Sequence, residues 1–357
     1  MISVILFFIL GLVVLVLGAD LLVRGASRLA TAFGVSPLVI GLTIVAIGTA
    51  SPEIAVSLKS AASGQGDLTL GNVLGSNIFN ILFVLGITSI ITPIIIAEQI
   101  IRKDAPIVLG VSLLSLALAL DGKLGWLDGA LLLVGLVAYT FFVLRQSRAE
   151  NRAVQNEFAQ EFGKTGTPSA KGIITNIGFI VAGLGLLVIG SDWLVKSAVR
   201  IAKFLGVSEL VIGLTIVAAG TSLPEVATSV IAALKKESDI AVGNAVGSNI
   251  FNLLGVLGIA ALVAPDGVTV ATRVMQFDLP VMIFVALVTL PIFYIDNRIS
   301  RTEGGLLLAY YILYVTCVVL RAVQSSTFTT AAVFAAIFVP LTFITLVVKA
   351  IKSSRKF

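Results

Sequence analysis

Apolar positions along this chain come in long runs rather than in the one-sided stripes of a water-soluble fold. Eleven runs lie approximately at residues 2 to 22, 37 to 60, 69 to 92, 104 to 120, 126 to 144, 173 to 194, 209 to 234, 240 to 264, 277 to 295, 304 to 321 and 327 to 348. Each is long enough to cross a hydrocarbon core of about 30 Å as a helix. A transmembrane barrel predicts short alternating segments instead. Polar positions inside the runs are few, and the most telling ones occur twice.

The segment Gly41-Leu42-Thr43-Ile44-Val45-Ala46-Ile47-Gly48-Thr49-Ala50-Ser51-Pro52-Glu53 returns as Gly213-Leu214-Thr215-Ile216-Val217-Ala218-Ala219-Gly220-Thr221-Ser222-Leu223-Pro224-Glu225. At the same offset, Gly71-Asn72-Val73-Leu74-Gly75-Ser76-Asn77-Ile78-Phe79-Asn80 returns as Gly243-Asn244-Ala245-Val246-Gly247-Ser248-Asn249-Ile250-Phe251-Asn252. Shorter echoes flank them, Gly18-Ala19-Asp20 with Gly190-Ser191-Asp192 and Asp104-Ala105-Pro106 with Asp278-Leu279-Pro280. Each repeat unit therefore holds five runs. An odd number of crossings makes the second unit enter the membrane from the opposite side, the inverted-repeat plan of many secondary transporters. The predicted fold is an all-α polytopic membrane protein with two inverted five-helix repeats, ten core helices and an eleventh helix appended. The first repeat covers 1–144, with its motif at 41–80, and a cytoplasmic linker covers 145–172. The second repeat covers 173–321, with its motif at 213–252, and 322–357 adds a C-terminal span and a basic tail. The linker is too short for a folded domain. It predicts an amphipathic surface helix over 149–162 and then a Gly-Thr-Pro-Ser turn.

Composition agrees with the runs. Hydrophobic residues make up 58% and charged residues 12%, with a mean hydropathy of +1.10, far outside the range of soluble domains. The net charge of +5 does not indicate nucleic acid, because the basic residues sit between the runs. Most of the 24 Lys and Arg fall on one side when the N-terminus is placed outside, among them Arg24, Arg28, Arg102, Lys103, Arg145, Lys235, Lys236, Lys349 and Lys352. The tail is then cytoplasmic, and the expected location is the inner (plasma) membrane. The first run has no basic segment before it and predicts a retained span. There is no histidine and one cysteine, Cys317, which removes the commonest zinc ligand, Ser-His catalysis and an internal disulfide.

The chemistry lies in the repeated motifs. A carboxylate at mid-membrane depth is expensive and usually faces an ion path, a partner charge or water. Glu53 and Glu225 have no basic residue at comparable depth, so cations are the expected partners. Thr49 lies four residues before Glu53, and Thr221 before Glu225, which puts each pair on one helix face. Pro52 and Pro224 remove a donor, and the carbonyls of Gly48 and Gly220 are expected to be freed as ligands. Asn72, Ser76 and Asn80 form one polar stripe, and Asn244, Ser248 and Asn252 its duplicate. Gly71 with Gly75, and Gly243 with Gly247, are expected to pack against the proline-broken helices. Carboxylate, hydroxyl, amide and carbonyl oxygens without sulfur or imidazole suit hard cations such as Ca²⁺ and Na⁺. No cofactor and no obligate protein partner is expected; the partners are the bilayer and the transported ions.

These motifs resemble the alpha-repeats of the calcium/cation antiporter superfamily, nearest its prokaryotic sodium/calcium exchanger branch. The resemblance implies Ca²⁺/Na⁺ exchange by alternating access at one central cluster. It implies Ca²⁺ ligation by Glu53, Glu225, Thr49 and Thr221. One flanking sodium site would use the Ala218 carbonyl, Thr221, Ser222, Glu225 and Ser76, and its mirror the Ala46 carbonyl, Thr49, Glu53 and Ser248, with Asn80 and Asn252 at the border. Two positions depart from the family pattern. Ala50 stands where a serine is usual, and Ser51, about 100° further around a helix, is not an obvious substitute. Asn252 stands where potassium-dependent relatives carry aspartate, which disfavours potassium co-transport. A Ca²⁺/H⁺ or other cation/proton antiporter is the alternative, disfavoured by Ser76 and Ser248 where that branch is usually acidic. A cation channel and a membrane hydrolase rank lower. Asp20 and Asp192 are expected to pair with Arg24 and Lys196, and Asp104 and Asp278 to cap helices.

Overall fold

The computed structural model of the chain describes residues 2–33, 35–162 and 170–354. Among these, nine helices are long and apolar enough to cross a membrane, and one bent pair makes a tenth. The first half holds α1 (Ile2–Phe33), the bent pair α2 (Pro37–Thr49) and α3 (Ser51–Ala62), α4 (Gly66–Ile91), α5 (Ile100–Asp121) and α6 (Trp126–Phe162). The second half holds α7 (Ala170–Phe204), α8 (209–220), α9 (Leu223–Leu234), α10 (Ser238–Val263), α11 (Val274–Tyr294) and α12 (Arg301–Ala322), followed by α13 (Phe328–Ser354). The runs at 37–60 and 209–234 are the broken ones, because each carries the proline of its motif.

The halves are related by inversion, and glycine contacts between α1 and α7 show it. A Cβ on Gly11 would lie 3.0 Å from the Gly190 carbonyl oxygen, and one on Gly18 2.8 Å from that of Gly183. Rising numbers in α1 meet falling numbers in α7, so the two helices run antiparallel. The repeat offset turns Gly11 into Gly183 and Gly18 into Gly190, so each contact is the symmetry mate of the other. Only glycine allows backbones this close. Two short antiparallel pairings repeat the pattern: β1 (Ile94–Ile95) with β4 (Arg298–Ile299), and β2 (Lys123–Leu124) with β3 (Val268–Thr269). Each joins one half to the other.

Burial orders the bundle. α4 and α10 lie at its centre, with 72% and 78% of their apolar windows buried, against 6% for α13. α13 packs on the outside through Phe343 against Phe284 and Phe338 against Tyr310. Its end is tied down where Ser353 donates to Asp296 at 3.0 Å.

Several boundaries differ from the apolar runs. α1 and α7 continue about ten residues past the predicted ends, and i,i+4 ion pairs, Asp20 with Arg24 and Asp192 with Lys196, lie where the apolar runs give way to these helical extensions. Those pairs are the ones expected, and Asp20 also meets Lys235. The helix expected over 149–162 is the continuation of α6. The following Gly-Thr-Pro-Ser turn, Lys164 and the tail residues Arg355 and Lys356 lie outside the described residues. Asp104 and Asp278 do not cap helices. A π-helical turn opens each of α5 and α11, so Asp104 and Asp278 end that turn with helical backbone rather than stand at a helix start. The Asp104 side chain instead accepts from Gln99 at 3.0 Å and Tyr139 at 3.1 Å, and Asp278 faces Arg273 at 3.8 Å.

Candidate cation-binding site

The break between α2 and α3 falls at Ala50 (φ −75°, ψ 7°), and that between α8 and α9 at Ser222 (φ −92°, ψ 11°). Pro52 and Pro224 sit in the first turn of the helix that follows, where a missing N–H matters least. α2 and α3 meet at 48°. The break places Glu53 and Glu225 in the first turn of α3 and α9, at the positive end of a helix dipole that favours a carboxylate. Asn80 and Asn252 each open a π-helical turn within α4 and α10, a distortion that often marks a functional position.

These elements bring the predicted residues to one buried centre. Glu53, Glu225, Asn80, Asn252, Ser222, Ser248 and Ala46 are fully buried, and Thr49 and Ser76 nearly so. Glu53 Oε1 accepts from Ser222 at 2.7 Å and Ser76 at 3.3 Å. Glu53 Oε2, both Glu225 carboxylate oxygens, both side-chain atoms of Asn80 and of Asn252, and the Thr221 hydroxyl have no hydrogen-bond partner among the described residues. Each such buried polar atom costs about 1–3 kcal/mol. Each glutamate also brings a negative charge to the same buried centre, where charge is costly. A cation bridging both carboxylates would offset both penalties, and the donor set is all oxygen.

The structure redraws three details. Ser222 and Ser76 meet on Glu53, whereas the resemblance grouped them with Glu225, because the α8–α9 break faces α3 and α4 across the inversion axis. The Gly48 and Gly220 carbonyls are not free: Ser51 donates to the first at 2.6 Å and Ser191 to the second at 2.7 Å. Ser51 therefore points away from the centre. The glycine stripes are unequal. A Cβ on Gly243 or Gly247 would fall 2.9 Å or 2.6 Å from the carbonyl oxygens of Leu38 and Leu42, so α2 lies directly on α10. Gly71 and Gly75 meet nothing within 4 Å.

A cavity of about 390 Å³ lies along the Gly71–Gly75 stripe. It runs from Asp67 and Arg273 at the span ends to Asn72, Ala218 and Thr221 beside the centre. Ala218 is exposed there, while its counterpart Ala46 is fully buried. One half-site is thus sealed and the other open.

Of the residues that brace the centre, the sequence pattern placed Asn72 and Asn244 in the polar stripes and passed over Ser57 and Ser229. Asn244 accepts from Thr49 at 2.9 Å and donates to Ser229 at 3.1 Å and to the Glu225 carbonyl at 3.3 Å. Asn72 donates to Ser57 at 2.8 Å and to the Glu53 carbonyl at 3.1 Å. Ser57 and Ser229 each lie four residues after a glutamate, on its helix face, and that spacing was the available signal.

A family model described as "Sodium/calcium exchanger protein" matches residues 3–145 and 175–320. The chain belongs to the sodium/calcium exchanger family. Members of this family are transporters, and the chain is a multi-pass cation antiporter of that kind. It is similar to "Putative antiporter CaxA" of Alkalimonas amylolytica, 40% identical over 86% of this chain and 96% of the relative. It is 33% identical to "Sodium/calcium exchanger MaX1" of Methanosarcina acetivorans over 87% of this chain and 96% of that one. Among solved structures it resembles the sodium-calcium exchanger NCX_Mj soaked with 10 mM Na⁺ and zero Ca²⁺. The TM-score is 0.75 at 30% identity, covering 88% of this sodium/calcium exchanger family member and 98% of that structure.

Proposed function

We propose that this protein exchanges Ca²⁺ for Na⁺ by alternating access, with Glu53 and Glu225 as the shared carboxylates of one central cluster. The observation that carries the reading is the pair of buried glutamates with unpartnered oxygens at the meeting point of two inverted repeats. Two carboxylates match the charge of one Ca²⁺, and the neighbouring hydroxyl and carbonyl oxygens of Thr49, Thr221, Ser76, Ser222, Ser248, Ala46 and Ala218 suit Na⁺. Asn80 and Asn252 complete the border. A path open beside Gly71 and Gly75 and closed beside Gly243 and Gly247 supports an exchanger over a continuous pore. Inversion lets the two halves trade these roles. With the N-terminus outside and the C-terminus in the cytoplasm, the cavity opens outward from the inner (plasma) membrane.

The test is flux in proteoliposomes. Vesicles loaded with Na⁺ and diluted into Na⁺-free medium should accumulate Ca²⁺ above its external concentration. Uptake that only equilibrates indicates a channel, and accumulation driven by a pH gradient in its place indicates proton coupling.

A further inference from the structure

The two sides of the centre also differ well away from the glutamates. On the sealed side, α1 is tied across to the corner between α9 and α10. One carboxylate oxygen of Asp20 meets Arg24 of its own helix at 2.8 Å, and the other meets Lys235, the residue that closes α9. The Lys235 ammonium also donates to the Asp20 main-chain carbonyl at 3.3 Å. Two turns further along α1, Ser27 donates to Glu237 at 2.7 Å. Asp20, Ser27, Lys235 and Glu237 are all half-buried, where charges are screened less than on an open surface.

The repeat offset that carries Glu53 onto Glu225 also carries Ser63 onto Lys235, Gln65 onto Glu237 and Ser27 onto Val199. Of the tie, the open side therefore keeps only Asp192, the mate of Asp20, and it pairs with Lys196 on its own helix at 2.8 Å. Ser63 and Gln65 are exposed. The tie and the seal coincide. α1 leads within a few residues into α2, and α2 lies on the start of α10, which Lys235 and Glu237 immediately precede. A Cβ on Gly41 would fall 3.2 Å from the Asp239 carbonyl oxygen, and one on Gly243 2.9 Å from that of Leu38. Holding α1 on this corner thus holds α2 over Gly243 and Gly247. Without such a tie from α7, α8 leaves Gly71 and Gly75 uncovered.

We propose that Asp20 and Ser27 with Lys235 and Glu237 are positioning residues, a one-sided latch that shuts the path beside α10 and keeps the centre facing the open cavity. They act through α2 and not on the transported ion. The proposal rests on the alternating-access reading, since only a centre that changes sides is biased by a latch on one of them.

The experiment uses two cysteine reporters in a Cys317→Ala background. Val45 is fully buried, and its mate Val217 is exposed and lines the cavity. Val45→Cys therefore reports opening of the sealed path and Val217→Cys the open one, through their rates of alkylation by a water-soluble maleimide in choline buffer without Na⁺ or Ca²⁺. Val217→Cys should label faster than Val45→Cys. Lys235→Gln should raise labelling at position 45 by at least about fivefold, and Lys235→Arg, which keeps the charge, should not. Ser63→Lys offers Asp192 the partner that the open side lacks, and should raise labelling at position 45 by a similar factor of at least about fivefold from the far side of the bundle. Local loosening around Lys235 cannot produce that second effect. Unchanged labelling at position 45 in Ser63→Lys overturns the latch, as does unchanged labelling in a folded Lys235→Gln. Should Lys235→Gln fail to fold, the exposed Ser63→Lys decides by itself. The labelling needs no transported ion, so rates that shift as stated, beside wild-type vesicles that do not accumulate Ca²⁺ on a Na⁺ gradient, would overturn the ion assignment and leave the latch standing.

Discussion

Thr49 donates its hydroxyl to the side-chain oxygen of Asn244 at 2.9 Å, a contact between the first broken helix and the central helix of the opposite repeat. Its symmetry mate would join Thr221 to Asn72, yet the Thr221 hydroxyl has no partner among the described residues and Asn72 lines the open cavity. The same polar pair is made on the sealed side and unmade on the open side. These two residues therefore report which half-site is closed.

Removing the brace should cost more on the sealed side. Asn244→Ala breaks the bonds to Thr49, Ser229 and the Glu225 carbonyl, and leaves buried groups unpaired at about 1–3 kcal/mol. Asn72→Ala breaks only the bonds to Ser57 and the Glu53 carbonyl, beside a cavity that admits water. Thermal unfolding in detergent should show the lower midpoint for Asn244→Ala. Equal midpoints would mean that the sealed side is not the better braced one.

The glycine stripes give a second contrast. Gly247→Ala forces a Cβ to within 2.6 Å of the Leu42 carbonyl oxygen, and overpacking of this kind costs about 1–3 kcal/mol. Gly75→Ala meets nothing within 4 Å and should melt like wild type. Gly75→Leu should keep Ca²⁺ binding but slow exchange, because α8 could not close onto α4 as α2 closes onto α10. Unimpaired exchange in Gly75→Leu would show that closure uses another surface.

A third contrast lies in α7. Gly183→Ala brings a Cβ to 2.7 Å from the Leu22 backbone nitrogen, whereas Gly178→Ala enters open space. Gly183→Ala should lower stability by about 1–3 kcal/mol and Gly178→Ala should not. Equal thermal midpoints would contradict the close antiparallel contact with α1.

Much of this was legible in the sequence because the features are local or repeated. Apolar run length gives the spans, Pro52 and Pro224 give the broken helices, and the copied polar positions give the inverted halves and the glutamate pair. What was not legible depends on tertiary contact. Ser51 and Ser191 satisfy the Gly48 and Gly220 carbonyls, and no spacing rule places Ser191 of α7 against α8. Asp104 looks like a cap by position, but Gln99 and Tyr139 take its carboxylate. Ser222 serves Glu53 rather than the glutamate of its own motif, since helix periodicity says nothing about a partner in the other half. The inequality of the two glycine stripes is conformational, and near-identical motifs carry no sign of it.

The central claim is that Glu53 and Glu225 hold one cation together, and the most direct measurement is Na⁺-driven Ca²⁺ uptake by Glu53→Gln and Glu225→Gln in proteoliposomes. Each replacement keeps the shape and removes one of the two charges facing a divalent ion. Both variants should fold into the membrane and lose at least about a hundredfold in exchange, as expected for loss of a metal-ligating charge at a buried site. Wild-type uptake in either variant would contradict the shared cluster.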